Sequence, residues 1–375
     1  MVVLNLLATG GVGGIEVLSK SIAESADWEN YTAFVFDGGK LEEEILFNKF
    51  VISRGNRRRL NNQLYKQIVD ICIEHRIDIV VIHHQNWFLQ RIFLKVHKEL
   101  PSVKTIFMIH HCYDKDMDLG HNAVVAIVRY HYLRLSLKMA DRIFAVSYAG
   151  MNSYQSNFPT INQRKFKVVY NGIAQNQIDA GKTNVPLLEG EFRILYIGRL
   201  ERVKGIDLLI KALPDIVTDK KIVLSIIGTG SIEAELRKIA ERVSSEFCSV
   251  EFFGVQREKD AYLRKASVFV YPSIWEEVFG ISIVEAMAYG LPCVTNRVGG
   301  LPEIIEDGKN GFFTNEKSPK ALAVCLNKIL SKYEDGSIKN MSIFAKETAE
   351  RFSIKKTCDQ LKYQYSCLLD SDIEC

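Results

Sequence analysis

Glu277 and Glu285 fall in the run Pro272-Ser273-Ile-Trp-Glu276-Glu277-Val-Phe279-Gly280-Ile281-Ser282-Ile-Val-Glu285. Carboxylates are good acceptors for the hydroxyls of a sugar or a ribose. The apolar segment before this run reads as a strand and the one after it as a helix. Glu277 is thus expected in a loop, and Glu285 in the first turn of the next helix. Between them, the Phe279-Gly280-Ile281 backbone can offer N–H donors. Glu285 has a second explanation, because Ser282 and Glu285 fit the S-x-x-E capping box, which would satisfy a helix start with no ligand at all. That explanation does not reach Glu277 or its neighbour Glu276.

A second cluster, Gly198-Arg199-Leu200-Glu201-Arg202-Val203-Lys204-Gly205, lies between the strand-like FRILYI and the helix-like IDLLIKAL. Three cations crowd a helix N-terminus, where the macrodipole disfavours positive charge and where Asp or Ser would serve stability better. An anion docked between the side chains and the helix end would explain them; a solvated basic loop is the other reading. Thr9-Gly10-Gly11-Val12-Gly13-Gly14 follows the first strand and is either a tight turn or a phosphate cradle at a helix start. It is a poor dinucleotide fingerprint, since Glu16 stands where the third glycine is required. Asp37, ending the second strand, keeps a ribose-binding acid and an NAD-dependent oxidoreductase in view. Gly181-Lys182-Thr183 fails as a Walker A motif: Asn176 replaces the upstream glycine, and no strand precedes it. Gly228-Thr-Gly230 and Gly299-Gly300 are further glycine sites that follow strands.

His110-His111 close the strand TIFMI, and His83-His84 close another. Successive strand residues face opposite ways, which argues against either pair sharing one metal. A zinc site from His110, Cys112 and His121 matches no common ligand spacing, and a polar strand end is the plain alternative. Arg54-Gly-Asn-Arg57-Arg58-Arg59 opens a helix. It reads either as a solvated basic run or as a seat for an anionic membrane surface or lipid pyrophosphate. Nucleic acid is not expected, because the net charge is only +3 and no nucleic-acid motif is present.

The elements that must position these groups alternate along the whole chain, which is the mark of βαβ winding and parallel sheets. In the first half, strands are expected near 2–7, 31–36, 78–83, 104–110, 142–147 and 166–170, with helices such as 61–75 and 121–139. In the second half they are expected near 192–197, 221–227, 249–253, 267–271 and 292–295. Helices near 204–213, 231–243, 258–265, 281–289 and 318–331 follow them, and a helical tail runs over 343–370. The segment 174–191 is polar and aperiodic and reads as a linker. With 375 residues, two domains facing each other across a cleft are expected, 1–174 and 190–350. Residues 1–175 hold 21 Lys+Arg against 16 Asp+Glu and all eight histidines, so the first half is the one to suspect of meeting an anionic surface. The eight cysteines form no C-x-x-C pair and read as reduced thiols. No apolar run reaches the ~18 residues a membrane helix needs, and the N-terminus lacks a basic leader. A soluble, cytoplasmic α/β protein is expected.

Taken together, the motifs resemble family 4 of the retaining, nucleotide-sugar-dependent glycosyltransferases. The family's E-x7-E matches Glu277 to Glu285, and its G-R-L-x-x-x-K-G matches 198–205. VVYNGI at 168–173 and GGLPEIIEDGKNGF from Gly299 match two further segments. The resemblance implies a GT-B fold of two facing Rossmann-like parallel-sheet domains with an interdomain cleft. The first would be the acceptor side, with a C-terminal helix near 355–375 crossing back to it; 190–350 would bind the donor. It also implies roles. Arg199 and Lys204 would neutralise the donor diphosphate, helped by Gly13 and Gly14. Glu277 would grip the transferred sugar and Glu285 the ribose. The Phe279, Gly280 and Ile281 amides would hold the distal phosphate, and Gly228 and Gly230 would border the nucleoside. His110 matches the active-site histidine, with His111 next in line. The implied reaction moves a sugar, with retention, from a nucleotide-sugar such as a UDP-sugar to a glycan or lipid-linked acceptor. It would need no cofactor and no metal, and it would take place in the cytoplasm or on the inner face of the membrane. A GT-B-like sugar-nucleotide epimerase is the alternative, beside the oxidoreductase.

Overall fold

The computed structural model describes residues 1–9, 14–37, 39, 45, 48–52, 62–83, 87–184, 186 and 190–370. They divide into two compact units, Met1–Gly172 with Ile354–Cys375, and Ile173–Ser353.

The first unit is built on seven strands: β1 (Val2–Thr9), β2 (Glu29–Asp37), β3 (Lys49–Val51), β4 (Ile79–Ile82), β5 (Lys104–Ile109), β6 (Arg142–Ala145) and β7 (Phe166–Val168). They lie in the order β3-β2-β1-β4-β5-β6-β7. Every pairing is parallel, with Leu6 opposite Ile82 and Ile82 opposite Phe107 at the centre. The second unit has β8 (Glu191–Ile197), β9 (Lys221–Ile227), β10 (Cys248–Phe252), β11 (Val268–Tyr271), β12 (Cys293–Asn296) and β13 (Gly311–Thr314). Their order is β10-β9-β8-β11-β12-β13, again all parallel. Helices cover both faces of such sheets, so central strands are apolar throughout. β4 and β11 are buried at every residue. Asn5, in the middle of β1, is a polar exception that is itself buried.

Strand order reverses between β1 and β4 in the first unit and between β8 and β11 in the second. In open parallel sheets ligands bind at such points, outside the carboxyl ends of the strands.

The structure departs from the sequence expectation in several places. β3 and β13 were not expected; they are edge strands of three and four residues, too short to show a period. The segment expected as a linker contains a helix, Gln175–Gly181, whose start is bonded by Gln177 Oε1 accepting from Ala174 N at 3.2 Å and whose Ile178 is buried. Its polar composition hid the single apolar anchor. The helical tail is two helices, Ile338–Arg351 and Ile354–Leu369. The chain passes from the second unit to the first in the gap between them. In the first unit the last helix buries Tyr365 against Phe144 and Trp28, and Thr357 Oγ1 donates to Tyr170 O at 3.0 Å. Among the described residues six cysteines are free, but Cys367 is disulfide-bonded, against the expectation of reduced thiols throughout. Among the described residues no helix is long and apolar enough to cross a membrane.

Candidate functional site

In the second unit, the loops leaving β8 and β11 are locked together. The β8 loop ends in a short turn, Arg202–Lys204, followed by Gly205 at φ +66°. A side chain on Gly205 would collide with the carbonyl oxygen of Pro272 on the β11 loop, so glycine permits the approach. Ile274 N donates to Val203 O at 2.9 Å across the same seam.

This docking brings Lys204 to Glu277. Lys204 Nζ lies 2.5 Å from Glu277 Oε1 and 3.1 Å from the Tyr271 hydroxyl. Ser273 Oγ donates to the same Oε1 at 2.6 Å. Lys204 and Ser273 are buried. A buried ion pair survives only where hydrogen bonds offset desolvation, and here one oxygen collects them. Glu277 Oε2 accepts no hydrogen bond among the described residues and remains an acceptor for a ligand hydroxyl. Burial, then the charge of Glu277, pushes the Tyr271 hydroxyl well above its ordinary range, and Tyr196 is raised for the same two reasons. Both phenols therefore serve as neutral hydrogen-bonding groups. Tyr196 donates to Arg199 O at 2.9 Å and so fixes the turn that carries Arg199. The Arg199 side chain is exposed and pairs with no carboxylate among the described residues. With Lys204 matched by Glu277, Arg199 is the charge left over for an anion.

The helix Ile281–Ala288 starts from Gly280 at φ +100° with no side-chain cap, so its first N–H groups lack an intrahelical partner. Ser282 lies inside the helix, and the capping box with Glu285 does not form; Glu285 sits in the second turn, not the first. Glu285 is buried and instead takes Lys259 Nζ on both oxygens, at 2.7 and 2.6 Å, and Gln177 Nε2 on Oε1 at 3.0 Å. The Phe279 ring is buried against Phe352, leaving its backbone as the part that can serve a ligand. Gly300 N donates to Glu277 O at 2.6 Å and Gly299 N to Glu276 Oε2 at 2.7 Å, which fixes the loop from below. Gly228, at φ +138°, comes so close to the Gly198 carbonyl that a side chain could not fit; Gly230 packs likewise on Leu200. Their first duty is to dock the β9 loop on the β8 loop.

The first unit ends β4 and β5 in histidine. His83 is buried, its Nδ1 3.2 Å from His110 Nε2 and its Nε2 2.7 Å from Asn5 Oδ1. Asn5 Nδ2 donates to Asn30 Oδ1 at 2.8 Å, which turns Asn5 Oδ1 toward His83. A neutral His83 then donates through Nε2 and accepts through Nδ1, so His110 donates through Nε2. His111 faces elsewhere and meets Asp118 at 3.0 Å. His110 and His111 are thus set apart, as strand alternation requires. Asp114 caps the helix Lys115–Leu119 through Met117 N at 2.9 Å. His121 is exposed and 3.9 Å from Asp116, so His110, Cys112 and His121 form no zinc site. Among the described residues no group of three His, Cys, Asp or Glu is placed to hold a metal ion. Gly14 opens the first helix, exposed. Gly13, His84, the Asp37 side chain and Arg54, Arg57, Arg58 and Arg59 lie outside the described residues.

Tyr271, Ser273, Lys259, Gln177 and Asn5 were not singled out by the sequence. Asn5 alone left a signal, a polar residue inside an otherwise apolar strand.

Two family models match in succession. One, described as glycosyltransferase family 4, covers residues 12–177; the other, glycosyl transferases group 1, covers 179–348. The chain belongs to glycosyltransferase family 4. An uncharacterised glycosyltransferase of Methanocaldococcus jannaschii is 34% identical over 180 residues, 45% of this chain and 46% of that protein. That match spans less than half of the relative's length. Spore coat protein SA of Bacillus subtilis is 28% identical over 300 residues, 73% of this chain and 75% of that protein. Among solved structures, HepE of Anabaena in complex with UDP superposes with a TM-score of 0.78 at 22% identity, covering 98% of this chain and 100% of that one. The fold of this glycosyltransferase is GT-B.

Proposed function

We propose that this glycosyltransferase moves a hexose from a UDP-sugar, with retention at the anomeric carbon, to a glycan or lipid-linked acceptor in the building of a surface polysaccharide. The observation that carries the reading is the Lys204–Glu277 pair with Arg199 unmatched beside it. It offers a carboxylate oxygen for sugar hydroxyls and a cation for a departing diphosphate on adjoining loops. HepE, which shares the fold, was crystallised with UDP and with UDP-glucose, and this supports uridine as the base.

In the transfer, the bond between the anomeric carbon and the diphosphate oxygen breaks while the acceptor oxygen attacks from the same face. The acceptor proton passes to the departing phosphate oxygen. Arg199, Lys204 and the open N–H groups at Gly280 and Ile281 stabilise the charge that develops on the diphosphate. Glu277 Oε2 holds the sugar's hydroxyls, and Glu285 accepts from the ribose. Gly14 with Gly13, and Gly228 with Gly230, allow backbone to approach the donor. His110 is the first unit's contribution, oriented by His83. Charge neutralisation by protein cations makes a divalent metal unnecessary. Arg54, Arg57, Arg58 and Arg59 would hold the enzyme on the anionic inner face of the membrane.

A thermal-shift panel of UDP, GDP, ADP, CMP and NAD, each with Mg²⁺ and with EDTA, tests this. At 100 times its dissociation constant a ligand stabilises by ~2.7 kcal/mol. A shift with UDP that EDTA leaves intact is the expected result. A shift with NAD alone would overturn the reading and restore the oxidoreductase.

A further inference from the structure

Glu285 has an unusual escort for a residue that must accept hydroxyl groups. It is buried, yet its partners come from two separate elements. Lys259 stands immediately before the helix Asp260–Lys265, and Gln177 lies on the helix Gln175–Gly181. Lys259 reaches both carboxylate oxygens, and Gln177 reaches Oε1 alone. Two anchors at different points fix the plane of the carboxylate, and the asymmetry leaves more acceptor capacity on Oε2.

Both anchors rest on rigid supports. Next to Lys259, Asp260 accepts from Arg264 at 2.7 Å and from the Tyr289 hydroxyl at 2.5 Å. The helix carrying Gln177 is tied down by Arg264 to Ala180 O at 2.5 Å and by Asn184 to Tyr289 O at 2.8 Å.

We infer that Lys259 and Gln177 are positioning residues that set Glu285 for a vicinal diol, and so make this site select ribonucleotides over deoxyribonucleotides. The inference rests on the reading of Glu285 as the ribose acceptor. A carboxylate already held in its binding orientation loses little freedom when the diol arrives. The ammonium of Lys259 also cancels a negative charge that would repel an incoming diphosphate. A site built to pair a hydroxyl rejects the analogue that lacks it, because its own acceptor is left unmatched.

The test measures dissociation constants of UDP, 2′-deoxy-UDP and 3′-deoxy-UDP by calorimetry for the wild type, Lys259→Met, Lys259→Arg and Gln177→Leu. The wild type should prefer UDP by about 10- to 100-fold, the scale of a hydrogen bond to a charged group. In Lys259→Met the preference should collapse to near parity, in Gln177→Leu it should fall part-way, and Lys259→Arg should retain most of it. Equal binding of all three by the wild type would mean that Glu285 does not read the ribose, and both readings fall. A wild-type preference that survives in Lys259→Met and Gln177→Leu would sink the positioning role alone. Tighter UDP binding by Lys259→Met would also sink it, since Lys259 would then be a competitor for Glu285. Lys259 is partly exposed, so the Met variant should fold; melting temperatures check this, and Gln177→Leu carries the test if it does not.

Discussion

Both units gather polar groups about their parallel sheets, and they hold them by different means. In the first, Asn5, His83 and His110 form a chain of neutral hydrogen bonds at the ends of β4 and β5 and the middle of β1. In the second, Lys204 with Glu277 forms an ion pair across the loops after β8 and β11, and Lys259, after β10, pairs with Glu285 in the helix that follows β11. A neutral chain fixes a tautomer and a ring orientation. Ion pairs instead store opposite charges that a charged ligand can recruit, and removing one partner strands the other. Under the proposed function, the second unit would meet the anionic donor and the first a neutral group.

The largest effect should follow from breaking a pair in the second unit. Lys204→Met leaves Glu277 charged and nearly buried, with only Ser273 and Tyr271 beside it. Transfer, measured as kcat/KM with a UDP-sugar, should fall by about 10²- to 10³-fold, and stability by about 3 kcal/mol. Glu277→Gln should lose comparable activity. If it stays active with the same KM for the donor, the charge at 277 is not what holds the sugar.

Next come the close approaches that let those loops meet. Gly205→Ala must force a side chain against Pro272 in a left-handed backbone conformation, and Gly228→Ala must do the same against Gly198. Each should cost about 2 kcal/mol or more in chemical denaturation, with UDP affinity lost in step. Normal stability with lost affinity would show instead that the glycines serve the ligand and not the docking.

The contrast explains what the sequence disclosed. In the second unit Lys204 and Glu277 lie in short runs, 198–205 and 272–285, because their pair is assembled from two loops at one switch point; their spacing could be read directly. The first unit's chain joins positions 5, 83 and 110, which only the sheet brings together. Strand alternation correctly separated His110 from His111, but it could not reveal Asn5 as the anchor of His83. Lys259 escaped for the same reason, since nothing near 259 signals a partner at 285. Ser282 misled in the opposite direction: the S-x-x-E pattern is present, but the helix starts at Ile281, so no box forms.

A smaller effect should follow in the first unit. His83→Leu removes the group between Asn5 and His110 while keeping an apolar fill. Loss of one oriented hydrogen bond should lower kcat about tenfold, leave KM for the donor unchanged, and cost about 1–2 kcal/mol through the stranded Asn5. An unchanged kcat would reduce the chain to a structural role and erase the functional half of the comparison.

The smallest expected difference is in acid. Among the described residues, the carboxyls held below their ordinary range all lie in the second unit: Asp179 by Lys182, Glu201 by Ser231, Asp260 by Arg264 and Tyr289, Glu306 by Lys309, and Asp335 by Ser337. A group with a lowered folded pKa contributes stability above its unfolded value, about 4, and loses it as pH falls through the folded value. These groups are largely exposed, so solvent screening keeps each contribution small. Hydrogen exchange followed from pH 6 to pH 3 should therefore show protection in β8–β13 declining before that in β1–β7, and added salt should narrow the gap. Earlier loss in the first unit would mean that the paired carboxyls of the second do not set the order in which the two units open in acid.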